Sequence, residues 1–384
     1  DIGTIPEELR RAGYRTACVS PNPHLSEATG LARGFDDFHY LGTSTLLSEA
    51  GLPTVLKYLT KLNEHSAGYT TDTAKHSIGY LSAALSRRHI RESAREDEDL
   101  FLYVHLGDSH HPYYPPKPFQ ELFADGFEMT VEAALDVVMR MSADLHGYMA
   151  RGVPFTADEW NALHAMYDAT IRYVDQTIER IVEYAAERLD DPIVVVTSDH
   201  GELFGEEGLL AHMVTVNDAV SHVPLVVSGI DRLDGHDGLV QHADAMKTVL
   251  SEVGVDTEIA VGVDLSEATR EFVVTQRSGA RCASKLERIR GQNSAFDTSP
   301  YHEGDLTSLR TENYRYLRSE SREELFAVPD GETDVTDEER EMTAKLAAEY
   351  GSWIGRYGRP ASETEERSEF TESMLAHLED LGYL

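Results

Sequence analysis

The fold is decided by Ile193-Val194-Val195-Val196-Thr197, which Ser198-Asp199-His200-Gly201-Glu202 follows directly. The first five residues are all β-branched, and such a run predicts a strand buried on both faces, as in a parallel sheet. A polar cluster at the end of this strand predicts a site, because ligands bind beyond the carboxyl ends of strands in open α/β sheets. This stretch therefore predicts both an α/β sheet and the place of its functional residues.

The turn after this strand carries a carboxylate and an imidazole on adjacent residues, Asp199 and His200. Both side chains can face one cation, and Gly201 removes the Cβ where the backbone must bend sharply. A sulfate or phosphate ester needs a cation to offset the charge on its oxygens and on the attacking group. The alternative is structural, with Asp199 capping the following helix and His200 packed beside it.

A second apolar run, Leu100-Phe101-Leu102-Tyr103-Val104-His105-Leu106, ends in Gly107-Asp108-Ser109-His110-His111. His110 can hydrogen-bond an anionic oxygen or protonate a leaving group, because imidazole exchanges its proton near neutral pH. The alternative is a surface loop that the prolines at positions 112, 115 and 116 stiffen.

The remaining histidines and the two cysteines carry weaker signals. His212, a dozen residues beyond the turn, is a third candidate imidazole, whereas His222 and His242 are expected to be structural or surface residues. Cys18 and Cys282 can form at most one disulfide, and we expect both to be buried or edge thiols without a catalytic role.

Helices and strands alternate along the rest of the chain. A capping box at Thr156 and Glu159 predicts a long helix to about residue 187, and Thr4 with Glu7 predicts a shorter one. Further strands are expected over 14–20 and 223–227, further helices over 72–85 and 244–253, and a charged surface connection over 87–99.

This alternation predicts a doubly wound, mainly parallel sheet flanked by helices. After residue 294 the pattern changes to short segments with local turns, which predict a small antiparallel C-terminal subdomain followed by helices. The expected domains are therefore 1–294 and 295–384.

The composition is strongly acidic. The chain has 34 Lys+Arg against 68 Asp+Glu, a formal net charge of −34, and seven of its basic residues are lysines. Such a chain repels itself unless salt screens its charges, which favours a salt-loving host over an acidic face for a cationic partner. The same charge argues against a nucleic-acid partner, because no basic stripe could neutralise phosphates.

Three features of the sequence bear on the compartment of the protein. No apolar run approaches the roughly 20 residues that span a bilayer, so no membrane span is expected. The chain opens at Asp1 without a methionine, so its start is expected to differ from that of the gene product. The low cysteine count favours the cytoplasm, and the oligomeric state stays open.

These motifs together resemble the sulfatase family of the alkaline phosphatase superfamily. The resemblance rests on 196–202 with its D-H-G-E pattern, on 103–113 with a D-P-H-x-P-Y pattern in which Ser109 replaces Pro, and on the helix segment 167–175. It extends over most of the chain, from residues 6–38 to the ending 381–384.

The resemblance implies a metal-dependent hydrolase that acts on a small-molecule or saccharide sulfate ester. Asp199 and His200 match the family's metal ligands, usually to calcium, with Mg²⁺ or Mn²⁺ as alternatives. His110 matches the histidine that contacts the sulfate group, and His212 lies at the position of a second such contact.

Two elements of the family pattern do not occur in this sequence. They are a strand with paired aspartates that completes the metal site and the segment C/S-x-P-S-R, whose first residue becomes the formylglycine nucleophile. Cys18 and Cys282 both lack the following Arg of that segment. We therefore expect the nucleophile upstream of Asp1 and the chain alone to be inactive. The alternatives are a phosphoesterase or phosphonate monoester hydrolase of the same superfamily, and a non-catalytic module with the sulfatase fold.

Overall fold

The structure is a computed structural model that describes residues 3–256, 261–329, 331, 333–358, 370–372, 374 and 375. The ending 381–384 lies outside these residues. The chain divides into two compact units. The first contains Asp1–Asp144 and Phe155–Pro192 with a C-terminal piece, and the second contains Leu145–Pro154 and the chain from Ile193 to Glu366.

In chain order, the helices are α1 (Ile5–Arg11), α2 (Leu46–Ala50), α3 (Leu52–Thr60), α4 (Leu62–His65), α5 (Gly79–Glu96), α6 (Val131–Ala143), α7 (Leu145–Ala150), α8 (Ala157–Ala186), α9 (Asp218–Ser221), α10 (His242–Glu252), α11 (Gly279–Gln292) and α12 (Arg340–Tyr357). The strands are β1 (Arg15–Ser20), β2 (Asp37–Tyr40), β3 (Leu100–Val104), β4 (Val194–Thr197), β5 (Leu203–Phe204), β6 (Leu210–Ala211), β7 (Leu225–Ser228), β8 (Val273–Arg277), β9 (Leu306–Arg310), β10 (Tyr314–Arg318) and β11 (Glu323–Ala327).

The first unit is built on a parallel sheet of order β2-β1-β3. Cys18 of β1 lies opposite Phe38 on one side and Tyr103 on the other, and Ala17, Cys18 and Val19 are fully buried. Helices α5 and α8 pack against each other, and α5 also contacts β1 and β3. The predicted α/β architecture, a parallel sheet with flanking helices, is confirmed.

Both predicted capping boxes are present. The Thr4 hydroxyl oxygen accepts from the Glu7 N–H while the Glu7 carboxylate accepts from the Thr4 N–H, and Thr156 and Glu159 do the same at the start of α8. These reciprocal bonds satisfy backbone donors that the first turn of a helix leaves open. Helix α8 then runs for 30 residues, as its apolar periodicity predicts.

The prediction for residues 72–99 is wrong in its boundaries. The helix α5 begins at Gly79 and continues to Glu96, through the segment expected to be a charged surface connection. Ile90 and Ser93 in that segment are buried. The helix begins at Gly79 because the Asp108 carboxylate accepts from the N–H groups of Ile78 and Gly79, a contact from about 30 residues away.

Helix α3 is apolar on two faces. Val55, Tyr58 and the following Leu62 pack into the core with Leu81 and Leu85 of α5. On the other face, leucines at positions 52, 56 and 59 expose about half of their surface. This spacing places the three leucines in one stripe along the helix.

The second unit contains the apolar run 193–197. The strand that it forms, β4, differs from the prediction in two ways. Strand β4 pairs with β7 in antiparallel register, Val195 opposite Val227, whereas a parallel neighbour was expected. The run was predicted to be buried on both faces, but the side chains of β4 are half-buried, Thr197 is exposed and Val226 of β7 is 60% exposed. An apolar run encodes burial tendency but neither strand direction nor the number of neighbours.

The predicted antiparallel C-terminal sheet is confirmed, with the order β11-β10-β9-β8. Its core is formed by Leu309, Tyr316 and Leu325 with Leu346 of α12. The first strand of this sheet, β8, lies upstream of the boundary expected at residue 295. None of the helices in the described part of the chain has the length and apolar character that crossing a membrane requires.

Candidate metal and anion site

The turn after β4 is packed against the backbone of α9. The Gly201 N–H donates to the Val220 carbonyl at 2.7 Å. A Cβ on Gly201 would lie 2.1 Å from the carbonyl oxygen of Ala219. No side chain can be placed at that distance, so glycine is required here by close approach of the backbone.

The side chains of Asp199 and His200 lie close together in this turn. The His200 Nδ1 hydrogen is donated to the Gly201 carbonyl at 2.8 Å, which leaves Nε2 as the ring nitrogen with a lone pair. That Nε2 lies 3.8 Å from Asp199 Oδ2, and the Asp199 side chain is 51% exposed. Asp199 does not cap the next helix, α9, because the N-cap of that helix is Asn217.

Glu202 and His212 lie beside this pair. One ligand atom from each of His200, Glu202 and His212 can be chosen so that all three are within 4.8 Å of one another. The Glu202 side chain is buried, and its Oε2 is 3.4 Å from Nδ1 of His212. Histidine nitrogens with one carboxylate form a donor set that divalent transition metals accept.

The ring geometry argues against His200 and His212 binding the same ion. The imidazoles of His200 and His212 are stacked, with centroids 3.9 Å apart and planes 25° apart. A ring nitrogen binds a metal in the plane of its ring at about 2.0–2.1 Å. Two stacked planes converge well beyond that distance, so these rings do not point their lone pairs at one ion in this arrangement.

His242, expected to be a structural or surface residue, makes a structural contact with the turn. Its Nε2 donates to the Ser198 carbonyl at 2.8 Å and lies 3.3 Å from the Thr197 hydroxyl. His242 thus holds the backbone directly before Asp199. The sequence carries no local signal for this contact, because the partners are 44 residues apart.

In the first unit, the loop after β3 is packed rather than a free surface loop. His111 is buried with Nδ1 3.1 Å from the Ser142 hydroxyl, and Tyr113 is buried edge-on against Tyr167. His110 is half-buried, and its Nδ1 donates to the His111 carbonyl at 2.8 Å. The second ring nitrogen of His110 is therefore the one that can accept a proton.

Asp108 anchors the same loop. Its Oδ1 accepts from the Ser77 hydroxyl and from the N–H groups of Ile78 at 3.0 Å and Gly79 at 3.4 Å. Burial is the largest influence on this carboxyl and raises its pKa, while the hydrogen bonds oppose the shift. Asp108, which lies two residues before His110, thus connects the end of β3 to the start of α5.

The two cysteines are buried, as predicted. Burial raises the pKa of Cys18 to about 12. Burial also raises the pKa of Cys282, although the nearby Arg277 opposes the shift. Both thiols are thus held in the protonated form, which is a poor nucleophile.

Comparison with known proteins supplies the family. The family model described as Sulfatase matches residues 2–255. The chain is 24% identical over 270 residues to the uncharacterized sulfatase YidJ of Escherichia coli, covering 67% of this chain and 53% of YidJ. It is 26% identical over 298 residues to the multifunctional alkaline phosphatase superfamily protein PehA of Trinickia caryophylli, covering 66% and 58%.

Solved structures agree at the level of the fold. The phosphonate monoester hydrolase of Agrobacterium radiobacter superimposes with a TM-score of 0.63 at 19% identity, covering 92% of this chain and 80% of that one. The chain spans about half the length of the curated relatives it matches. Because the family model covers well over half of its residues, the chain belongs to the sulfatase family.

Proposed function

We propose that this chain supplies the metal-binding turn and the sulfate-contacting histidines of a divalent-metal-dependent sulfuric ester hydrolase. Asp199 and His200 are the metal ligands, and His110 and His212 contact the sulfate group. The substrate class is a small-molecule or saccharide sulfate ester.

The observation that carries the proposal is the arrangement of Asp199 and His200. The Gly201 carbonyl holds Nδ1 of His200, and the remaining nitrogen lies 3.8 Å from a carboxylate oxygen of Asp199, whose side chain is about half exposed. A backbone carbonyl that fixes the tautomer of a histidine in this way is the usual arrangement behind a metal-binding imidazole. The residues therefore fit a divalent cation.

The identity of the cation is part of the proposal. Calcium is the usual metal of the family, and Mg²⁺ and Mn²⁺ also accept carboxylate oxygen. Such a cation would offset negative charge on the ester oxygens and on the attacking group. An imidazole ligand suits Mn²⁺ better than Ca²⁺, so both ions belong in the test.

The histidines have separate tasks. His110 donates Nδ1–H to a backbone carbonyl, so its other nitrogen can exchange a proton with an ester oxygen. Glu202 lies against Nδ1 of His212 and orients that ring. Both imidazoles can donate hydrogen bonds to an anionic group.

The test uses protein expressed from its complete reading frame, assayed with an aryl sulfate. We expect sulfate release that stops on chelation, returns with Mn²⁺ or Ca²⁺, and is lost in Asp199→Ala. Asp190→Ala, which removes an exposed carboxylate elsewhere, is the matched control and should retain activity. Sulfate release that survives both chelation and Asp199→Ala would refute the metal assignment.

Residues 1–384 alone are expected to bind the cation without turnover, because they contain no C/S-x-P-S-R segment. Sulfate release by this chain would contradict that expectation. It would also require a nucleophile among its own residues.

A phosphoesterase or phosphonate monoester hydrolase is the second candidate. Its support is the similarity to PehA, described as a multifunctional member of the alkaline phosphatase superfamily. The same protein assayed with aryl phosphate and aryl phosphonate esters separates the two activities. Turnover of these esters at higher kcat/KM than the sulfate would favour the second candidate, and no turnover of any ester would favour a non-catalytic sulfatase-fold module.

A further inference from the structure

We infer that Arg310 and Asp218 are positioning residues, through which the C-terminal sheet sets the geometry of the metal-binding turn. The inference rests on the proposed function for the role of that turn. The contacts themselves all lie within the second unit.

The first step is the ion pairing of α9. Asp218, the first residue of this helix, accepts from Arg310 Nε at 3.2 Å, and Nη1 of Arg315 lies 3.7 Å from its other oxygen. Arg310 and Arg315 are directly opposite each other on β9 and β10. Two guanidinium groups of the C-terminal sheet therefore face one carboxylate.

The second step is burial. Arg315 is buried and lies over the Phe326 ring, with its guanidinium carbon 5.1 Å from the ring centroid. Nη1 of Arg310 and Nε of Arg315 are buried without a hydrogen-bond partner. The two guanidinium groups carry two positive charges, and Asp218 balances one of them. Removing Asp218 would leave both guanidinium charges without a partner in this cluster.

The third step leads from α9 to the turn. Ala219 and Val220, the next two residues of the helix, are those whose carbonyl groups contact Gly201. A shift of α9 therefore moves the backbone that supports Asp199 and His200. No side chain lies between the two backbones, since a Cβ on Gly201 would lie 2.1 Å from the Ala219 carbonyl oxygen.

Residues 207–216, which precede α9, also contact the C-terminal region. Val216 packs with Leu306 and Leu317, and the Tyr301 hydroxyl donates to the Glu207 carbonyl at 2.8 Å. The Cys282 thiol lies 3.8 Å from the Val214 carbonyl. These contacts support the strand and turn that carry His212. The ion pair of Asp218, in contrast, lies beside the two residues that contact Gly201.

The test measures Mn²⁺ affinity by electron paramagnetic resonance and the exchange rate of the Gly201 amide hydrogen by mass spectrometry or NMR. We expect Arg310→Gln and Asp218→Asn to weaken Mn²⁺ binding by about tenfold or more, as loss of groups that orient metal ligands does. We also expect them to speed Gly201 exchange by about tenfold, and Arg310→Lys to restore part of both losses.

Arg318→Gln is the matched control. Arg318 lies on β10 and pairs with Glu323 at 2.7 Å within the same sheet, so its ion pair does not involve α9. It should lower the urea unfolding midpoint without changing Gly201 exchange or Mn²⁺ affinity.

Several outcomes decide the inference. Wild-type Gly201 exchange in folded Arg310→Gln would overturn it, and this variant decides the matter if Asp218→Asn does not fold. An equal change in Arg318→Gln would also overturn it, because the effect would then be general destabilisation. If the wild-type protein binds no Mn²⁺ or Ca²⁺, the proposed function fails, while Gly201 exchange still reports whether the sheet sets the turn.

Discussion

Asp108 accepts the backbone N–H of Ile78 at 3.0 Å and so caps α5 from the end of β3. All three hydrogen bonds that reach this carboxyl end on Oδ1, and burial raises its pKa. A neutral side chain with one strong acceptor therefore suits the site.

We predict that Asp108→Asn keeps the fold and changes the free energy of unfolding by less than about 1 kcal/mol at pH 7. Asn retains the acceptor and carries no charge to desolvate. Asp108→Ala should destabilise by about 2–4 kcal/mol, because it leaves the donors of Ser77, Ile78 and Gly79 without an acceptor. Urea unfolding followed by circular dichroism measures both.

The pH dependence supplies the check on Asp108→Asn. A carboxyl whose pKa is raised in the folded state binds more protons when folded, so its contribution to stability decreases as pH rises above the unfolded value. Asp108→Asn should therefore gain stability relative to wild type as the pH rises above about 4, the ordinary pKa of an aspartate. A loss as large as that of Asp108→Ala would mean that the negative charge itself is required.

Gly201→Ala should weaken metal binding by about tenfold or more, because the new Cβ must displace the Ala219 carbonyl. Gly291→Ala is the control: Gly291 is in α11, and a Cβ there meets nothing within 4 Å. That change should be neutral or stabilise by up to about 1 kcal/mol. Metal affinity equal to wild type in Gly201→Ala would show that the turn tolerates movement of α9.

Stability should decrease as the pH is lowered from 7 to 5. Burial lowers the pKa of His65 and of His89 to about 4, from an ordinary value of 6.5. The unfolded chain then binds more protons than the folded chain between these values, so each histidine destabilises by about 2 kcal/mol at pH 5.

Substitution can separate the contribution of the two histidines to the pH dependence of stability from that of the acidic side chains. His65 Nδ1 is buried without a hydrogen-bond partner, so His65→Phe removes a titrating group and no hydrogen bond from that atom. The pH dependence of the urea midpoint should become shallower in His65→Phe. His222→Phe, which removes an exposed imidazole, is the control, and an equal flattening there would contradict the assignment.

The thiols of Cys18 and Cys282 should be unreactive in the folded protein. Both side chains are buried and both pKa values are raised, so the thiolate that attacks a disulfide reagent is scarce. We expect two thiols to react with a chromogenic disulfide only after unfolding. Fast reaction of one native thiol would reopen the question of a cysteine nucleophile in this chain.

The sequence predicted the features that depend on residues close together along the chain. The capping boxes of α1 and α8 are local patterns, and the structure contains both. The prediction of Asp199 and His200 also rests on adjacent residues after an apolar run. Their role as ligands stays a prediction.

The rest depends on contacts between distant residues. The start of α5 is set by Asp108, the turn is held by His242, and α9 is held by Arg310 from 92 residues away. The antiparallel pairing of β4 with β7 was also missed, because an apolar run has no direction. Glu202 could have been predicted as a site residue from the sequence, because its carboxylate is part of the D-H-G-E pattern that identified the turn.

The segment Leu145–Pro154 belongs to the second unit although the first unit precedes and follows it in the chain. Asn293 closes this part of the unit by donating to the Ala150 carbonyl, 143 residues away. During synthesis, α7 therefore leaves the ribosome long before its partner α11, and a ribosome-bound chain must hold it unassembled in the meantime. A single proteolytic cut cannot release either unit intact, and expression of one as a contiguous fragment would remove part of the other.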